Sequence, residues 1–395
     1  MMRFNKLHTS CRQLRAFLDI TQSYGYNAEE HVVQTDDGYL LTLHRIPHGV
    51  KTRESGSEGI VFLQHGLLCS SVDWIVAGPS RSLPYLLAEQ GYDVWMGNAR
   101  GNNYSRRHVS LKPKSRDFWQ FSWHEIGIYD LPAMIDYTLN KTGQTSLHYI
   151  GYSQGTTAFL ALASMRNDYS KKVSMFQALA PAVFLSNAKS PFIKALAPLA
   201  NQTKFLLDSM GVHELFPNDT NIVQKVRKSL YRNNAVVQSL LTNILFIIAG
   251  FDSQQMDLKL LPRILENTPA GASVNQIIHY AQCINSGEFR LFDYGKLGNE
   301  IKYGSRIPPK YPIEEITTPT VIHFAENDWL CTVKDVEKLI QKLPNIVAKY
   351  QVPFPKFNHL DFIYALQARQ LVYENVLSIL KNTSNFRGMT RMNKG

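Results

Sequence analysis

The most chemically pointed feature of this 395-residue sequence is a serine with a glycine two residues before it and another two after it, Gly151-Tyr152-Ser153-Gln154-Gly155. With glycine and serine each near about 7% of residues, a chain of this length holds the G-x-S-x-G pattern by chance roughly 0.1 times. The setting sharpens it. The apolar run LHYI before it reads as a strand and TTAFLALAS after it as a helix, the strand–turn–helix context in which a serine hydroxyl is presented as a nucleophile. Side chains at the flanking positions would collide across so sharp a turn, which is the reason to expect glycine at 151 and 155.

A serine hydroxyl is a poor nucleophile near neutral pH, so an imidazole must accept its proton and a carboxylate must orient the imidazole. On this kind of elbow the acid and then the histidine follow the serine in the chain. The late run PTVIHFAENDWL ends on two acids, Glu326 and Asp328, and of the 12 histidines only His359, in FPKFNHLDF, lies beyond them. Asp328 is the preferred acid, because the second residue of a loop-closing Asn-Asp can turn inward while Glu326 stays at the strand mouth. His65 precedes the serine, so it is left a structural or orienting task. The oxyanion formed by attack on a carbonyl needs preorganised backbone donors, each worth on the order of 10²–10³ in rate. Gln154, directly after the nucleophile, supplies one N–H, and Leu67, in the loop His65-Gly66-Leu67-Leu68, supplies the other. No metal or other cofactor is called for, and none of the 4 cysteines forms a C-x-x-C pair.

These residues need a scaffold that brings strand ends together. HVVQT and YLLTLHRI flank Asp36-Asp37-Gly38, a strong hairpin signal. Short apolar runs recur at 60–66, 92–97, 147–152, 174–181, 319–325 and 348–353, with helix-length segments at 76–90, 124–140, 154–167 and 333–343. Apolar strands alternating with amphipathic helices predict a parallel sheet covered on both faces. Between Ala180 and Pro319 that rhythm stops, and an insertion this long predicts a helical cap over the carboxyl ends of the strands. The longest apolar run, Leu240 to Phe251, is about half the ~20 residues that cross a bilayer, so a buried or interfacial helix is expected and no transmembrane segment.

Hydrophobic residues at 44% and charged residues at 19% exclude disorder as the main state. The net charge of +10 raises the question of an anionic partner, but the basic residues are mostly scattered. The concentrations at Arg100, Arg106, Arg107, Lys112, Lys114 and Arg116, and at Lys381, Arg387, Arg391 and Lys394, match no nucleic-acid motif and are read as solvated basic faces. The first twenty residues never produce the apolar stretch of a secretory signal.

In order along the chain, GYNAEEHVVQTDDGYLLTLHRIP, LQHGLLCSSVDW, GYDVWMGNARGNNYSRRH, FWQFSWHEIGIYDLPAMIDY, YIGYSQGTT, AGFD, HFAENDWL and FNHLDFIYA resemble the acid lipase family of α/β-hydrolases, and its insect members most. The resemblance runs from Tyr24 to about Leu380. It implies an α/β-hydrolase fold, with a mostly parallel central sheet flanked by helices. Residues 1–183 and 311–395 would form the core and 184–310 an inserted cap and lid. It also implies Ser153 as nucleophile, Asp328 as acid, His359 as base, and Leu67 and Gln154 as oxyanion donors. The implied activity is hydrolysis of neutral lipid esters, triacylglycerols or cholesteryl esters, at a lipid–water interface, without cofactor. A carboxylesterase acting on short soluble esters and a non-catalytic lipid-binding protein are the alternatives. Leu241 and Ala249 stand where relatives carry cysteines, so the cap disulfide is expected to be absent; Cys11, Cys69, Cys283 and Cys331 are read as packed thiols, with a bridge left open. The resemblance implies a secreted or lysosomal glycoprotein, in keeping with sequons at Asn103, Asn140, Asn201, Asn218 and Asn382, with an intracellular site as the alternative.

Overall fold

A computed structural model of the chain describes residues 15–52, 57–217 and 247–382, together with 243 and 245. The hairpin forms as the Asp-Asp-Gly signal predicts. Strands β1 (Glu29–Gln34) and β2 (Tyr39–Ile46) pair antiparallel, and Gly38, at φ 94°, closes the turn by donating its N–H to the Thr35 carbonyl at 2.9 Å. The other strands are β3 (Ile60–Gln64), β4 (Asp93–Gly97), β5 (Arg107–His108), β6 (Leu147–Tyr152), β7 (Val173–Leu179), β8 (Glu214–Leu215), β9 (Ala272–Ser273), β10 (Thr320–Phe324) and β11 (Ile346–Gln351). The main sheet runs β1-β2-β4-β3-β6-β7-β10-β11, with β5 added beside β2. From β4 to β11 every neighbouring pair is parallel.

Burial explains the strand sequences. Strands β3, β4, β6 and β10 are buried at every residue, which is why they read as unbroken apolar runs, whereas the edge strands β1 and β11 alternate half-buried with exposed. Successive residues of one strand enter opposite layers. Phe62 joins Tyr149, Phe159 and Phe176 in one aromatic stack, while Val61 and Leu63 join Val94, Ile150 and Leu179 on the other face.

The helices that matter below are α1 (Leu83–Glu89), α2 (Leu131–Thr142), α3 (Gln154–Met165), α4 (Ala200–Ser209), α5 (Val274–Ser286), α6 (Gly295–Tyr303) and α7 (Val333–Lys342). The segment expected as a helix over 76–90 is helical only in α1. Gly78, at φ 80°, and the following Pro79 hold the preceding residues in turns. The expected 124–140 helix contains a π turn at Ile126–Asp130, in which Asp130 is fully buried.

One expectation is corrected. Arg100 is not part of a solvated basic face: it is 1% exposed and bonds both Asp37 oxygens and the Asp130 carboxylate, the latter at 2.7 Å. Arg106 likewise pairs with Glu214 on β8, and Lys112, Lys114 and Arg116 remain exposed. A charge run in sequence does not reveal that its first member has two buried acids waiting in other elements.

The interval between β7 and β10 holds α4, α5, α6 and the small β8–β9 ribbon, which the sequence did not signal. Part of the run Leu240–Phe251 lies outside the described residues; Ile247 to Ala249 is helical, with Ile247 exposed and Ala249 buried. Cys69, Cys283 and Cys331 are free thiols, and Cys11 lies outside the described residues. No described helix is long and apolar enough to cross a membrane.

Candidate active site

Ser153 stands between β6 and α3 at φ 51° and ψ −115°. A non-glycine residue held in so sparsely populated a region costs about 1–3 kcal/mol and persists only when its surroundings dictate it. Here they do. The Ser153 N–H donates to Leu179 of β7 at 3.0 Å, and the Ser153 carbonyl accepts from the Thr156 N–H at 2.9 Å and from the Thr156 hydroxyl at 2.5 Å. A Cβ at Gly151 would lie 2.8 Å from the Gly155 carbonyl, so that glycine clears the elbow as expected. Gly155 clears something else: a Cβ there would strike the Gln64 carbonyl at the end of β3.

The structure brings Ser153, His359 and Asp328 together. His359 Nε2 lies 2.9 Å from Ser153 Oγ, and His359 Nδ1 lies 2.8 Å from Asp328 Oδ2. All three side chains are buried, whereas Glu326, the other acid considered, is exposed. Asp328 is locked by its own loop, since its Oδ1 accepts the N–H groups of Leu330 and Cys331 at 2.9 and 2.8 Å. A carboxylate facing Nδ1 keeps the imidazole proton there, which leaves Nε2 a lone pair aimed at the serine hydroxyl. The His359 backbone is held as well: its carbonyl accepts from the Tyr152 hydroxyl at 3.0 Å, and its N–H donates to Ala249 at 3.4 Å.

Gln154 heads α3, so its N–H is one of the donors that a helix N-terminus leaves open, and the helix dipole adds positive potential there. Among the described residues neither the Gln154 nor the Leu67 amide has a protein acceptor. Leu68, at φ 62°, bends the chain directly after Leu67, and its carbonyl accepts from Ala270 at 2.7 Å. His65 takes the orienting position expected of it. Its Nε2 accepts from the Ala99 N–H at 3.1 Å and from the Asn102 side-chain amide at 3.2 Å, which fixes the proton on Nδ1 for donation to the Gly66 carbonyl at 2.8 Å. Burial pushes its pKa down to about 4, so it remains a neutral strut. The Gly66 C=O and Leu67 N–H share one rigid peptide plane, so fixing the first aims the second.

Asn102 and Asn98, which bond each other at 3.0 Å, complete this cradle. Nothing in the sequence argument singled them out; the available signal was a cluster of asparagines, NARGNN, directly after a buried strand. Asp328, Cys331 and His359 also stand close enough to suggest a metal site, their candidate ligand atoms within 4.8 Å of one another. Their chemistry points elsewhere. Burial raises the Cys331 thiol well above its ordinary range, its S–H faces the Ala180 carbonyl at 3.4 Å, and the acid and the imidazole are bonded to each other.

Comparison with known proteins adds the following. The family described as alpha/beta hydrolase fold matches residues 59–366, and one described as partial alpha/beta-hydrolase lipase region matches residues 17–78. Lipase 3 of Drosophila melanogaster is 46% identical over 91% of each chain. Gastric triacylglycerol lipase of Homo sapiens is 38% identical over 95% of this chain and 94% of its own. Lysosomal acid lipase/cholesteryl ester hydrolase of Macaca fascicularis is 36% identical over 92% and 90%.

Proposed function

Because this chain belongs to the acid lipase family of α/β-hydrolases and is a carboxylic ester hydrolase, we propose that it cleaves triacylglycerols or cholesteryl esters through an acyl-enzyme formed on Ser153. The observation that carries this reading is the unbroken hydrogen-bonded chain from Ser153 Oγ through His359 to Asp328. Ser153 Oγ attacks the ester carbonyl while His359 Nε2 takes its proton, and Asp328 stabilises the imidazolium that results. The carbonyl oxygen becomes an oxyanion held by the Leu67 and Gln154 N–H groups. On collapse, His359 gives its proton to the departing alcohol. A water then enters by the same route and releases the fatty acid, restoring the serine.

We assign residues 184–310 as the cap that covers this site. In support, the interval touches each part of the catalytic machinery: Ala270 holds the Leu68 carbonyl, and the Tyr280 hydroxyl of α5 meets the Thr157 hydroxyl in the first turn of α3 at 2.7 Å. Its outer residues favour a lipid surface over a monomeric short ester. Phe205 on α4 is 77% exposed, and Leu297 and Ile301 on α6 are 72% and 80% exposed. Secretion or delivery to lysosomes is the compartment this reading implies.

The test is direct. Purified Ser153→Ala and His359→Ala proteins are expected to retain cooperative melting while kcat on a p-nitrophenyl ester falls by about 10³ or more. Hydrolysis at the wild-type rate by Ser153→Ala would sink the assignment.

A further inference from the structure

Behind His359 lie two carboxyl groups that the mechanism does not use. Asp361 is two residues after His359, and Asp252 ends the Ala249-Gly250-Phe251-Asp252 segment, which lies within the interval between β7 and β10. Both are buried. Among the described residues neither is ion-paired to any lysine, arginine or histidine.

Among the described residues two of their four oxygens have amide donors. Asp361 Oδ2 accepts the Asn358 N–H at 2.7 Å, and Asp252 Oδ1 accepts the N–H groups of Gln254 and Gln255 at 2.9 and 3.2 Å. Among the described residues Asp252 Oδ2 is buried with no donor supplied by any amide, hydroxyl or cation. The charged side chain that acts on Asp361 most strongly is that of Asp252. Two carboxylates are both acceptors, so a hydrogen bond between them exists only when one of them carries a proton.

The same place joins two chain segments. Asn358 Nδ2 donates to the Gly250 carbonyl at 2.9 Å, the Asn358 side-chain oxygen accepts from Leu360 and Asp361, and the His359 N–H donates to Ala249. The loop that carries His359 is thus strapped to the 249–252 segment on both sides of the imidazole. We propose that Asp252 and Asp361 share one proton and act as a clasp that positions His359 against Asp328 and Ser153, so that the base stays in register only while the pair keeps that proton. The clasp rests on the assignment of His359 as the base.

Burial, and then the charges of Asp252 and Asp328, push the Asp361 pKa up to about 9, so the clasp is closed through the acid and neutral range. The ionisable groups around it are Asp328 from the loop after β10, His359 on its own loop, and the Tyr152 phenol from the elbow side, which donates to the His359 carbonyl. None is a cation that would favour the doubly charged pair, apart from His359 while it transiently holds the serine proton. Losing the clasp proton sets two carboxylates against each other and drives the loop away from the 249–252 segment.

The experiment is the rate of Ser153 labelling by a fluorophosphonate from pH 5 to 10.5, for wild type, Asp361→Asn, Asp252→Asn, Asp361→Ala and His359→Ala. An asparagine at either place donates the bond without a titrating proton. Both asparagine variants are expected to label within about threefold of wild type at pH 6, and to outpace it by about fivefold or more at pH 10, where wild type has lost its clasp. Asp361→Ala, which cannot make the bond, is expected to label about tenfold or more slowly at every pH. Superimposed wild-type and asparagine profiles through pH 10 overturn the clasp. So does failure of both asparagine variants to melt cooperatively, since each keeps the bond that is said to matter. His359→Ala separates the two ideas: a folded variant that still labels removes the base assignment itself, whereas an inert one beside superimposed profiles removes only the clasp.

Discussion

His65 shows how much a residue can contribute without meeting substrate. It makes one hydrogen bond with the Gly66 carbonyl and two with Ala99 and Asn102, all in a buried site. Leucine in its place would fill much of the volume but orphan the Ala99 N–H and free the Gly66–Leu67 peptide, each buried polar group so abandoned costing about 1–3 kcal/mol. His65→Leu is therefore expected to lower kcat on a soluble p-nitrophenyl ester by about 10- to 100-fold with KM changed less than about threefold, because the Leu67 N–H matters most to the oxyanion. Steady-state kinetics decide it; a raised KM at unchanged kcat would place His65 in substrate binding instead. This scale also shows where a sequence speaks. Chain order singled out His359, and loop position separated inward Asp328 from exposed Glu326, because both follow from one-dimensional constraints. Asn98, Asn102, Asp252 and Asp361 were silent, since their meaning lies in partners 27 to more than 100 residues away.

At the scale of elements, the fully buried strands were legible because a parallel strand covered on both faces has no polar side to show, and the elbow was legible because two glycines bracket one serine. The turn-rich start before α1 was marked by Gly78-Pro79, a local helix breaker that the helix-length pattern over 76–90 overrode, whereas the two-residue strands of the β8–β9 ribbon leave no periodicity at all. The interval between β7 and β10 was legible as a break in rhythm, but its surface was not, for exposure of an apolar residue is a tertiary fact. In α6, Leu297 and Ile301 stand four residues apart and therefore on one helical face, each more than two-thirds exposed. Lys296 and Lys302 flank them in the same helix. Such a face suits adsorption to a lipid–water boundary. The double variant Leu297→Asp, Ile301→Asp is expected to lower the ratio of emulsified long-chain triglyceride rate to soluble p-nitrophenyl ester rate by about tenfold. An unchanged ratio would assign adsorption to another part of the interval.

Across the whole molecule, burial sets two groups of titrating residues against each other. His44, His65, His124, His279 and His323 are all held below the ordinary histidine pKa by desolvation. As the pH falls from 6.5 toward 4.5 the unfolded chain protonates each of them while the folded chain resists, so they withdraw stability as the solution is acidified. Asp73, Asp130, Asp335 and Asp361 are raised by the same desolvation and act with the opposite sign. In that window folded Asp361, raised to about 9, holds its proton and folded Asp130, raised to about 6, takes one up, while unfolded aspartates, titrating near 3.8, bind little, so both return stability as the pH falls. With five histidines against four acids, the thermal midpoint is expected to decline between pH 6.5 and 4.5, but less steeply than the histidines alone would impose. Asp361→Asn removes one counterweight without removing its hydrogen bond. The loss of one proton's linkage over two pH units is about 2.7 kcal/mol, so the midpoint of this variant should fall by about 3–6 °C more than that of wild type across the window. Calorimetry at pH 6.5, 5.5 and 4.5 measures it. Parallel declines in the two proteins would mean that Asp361 is already ionised in the folded state at pH 6.5, and the balance between buried imidazoles and buried carboxyls would then rest on Asp73, Asp130 and Asp335.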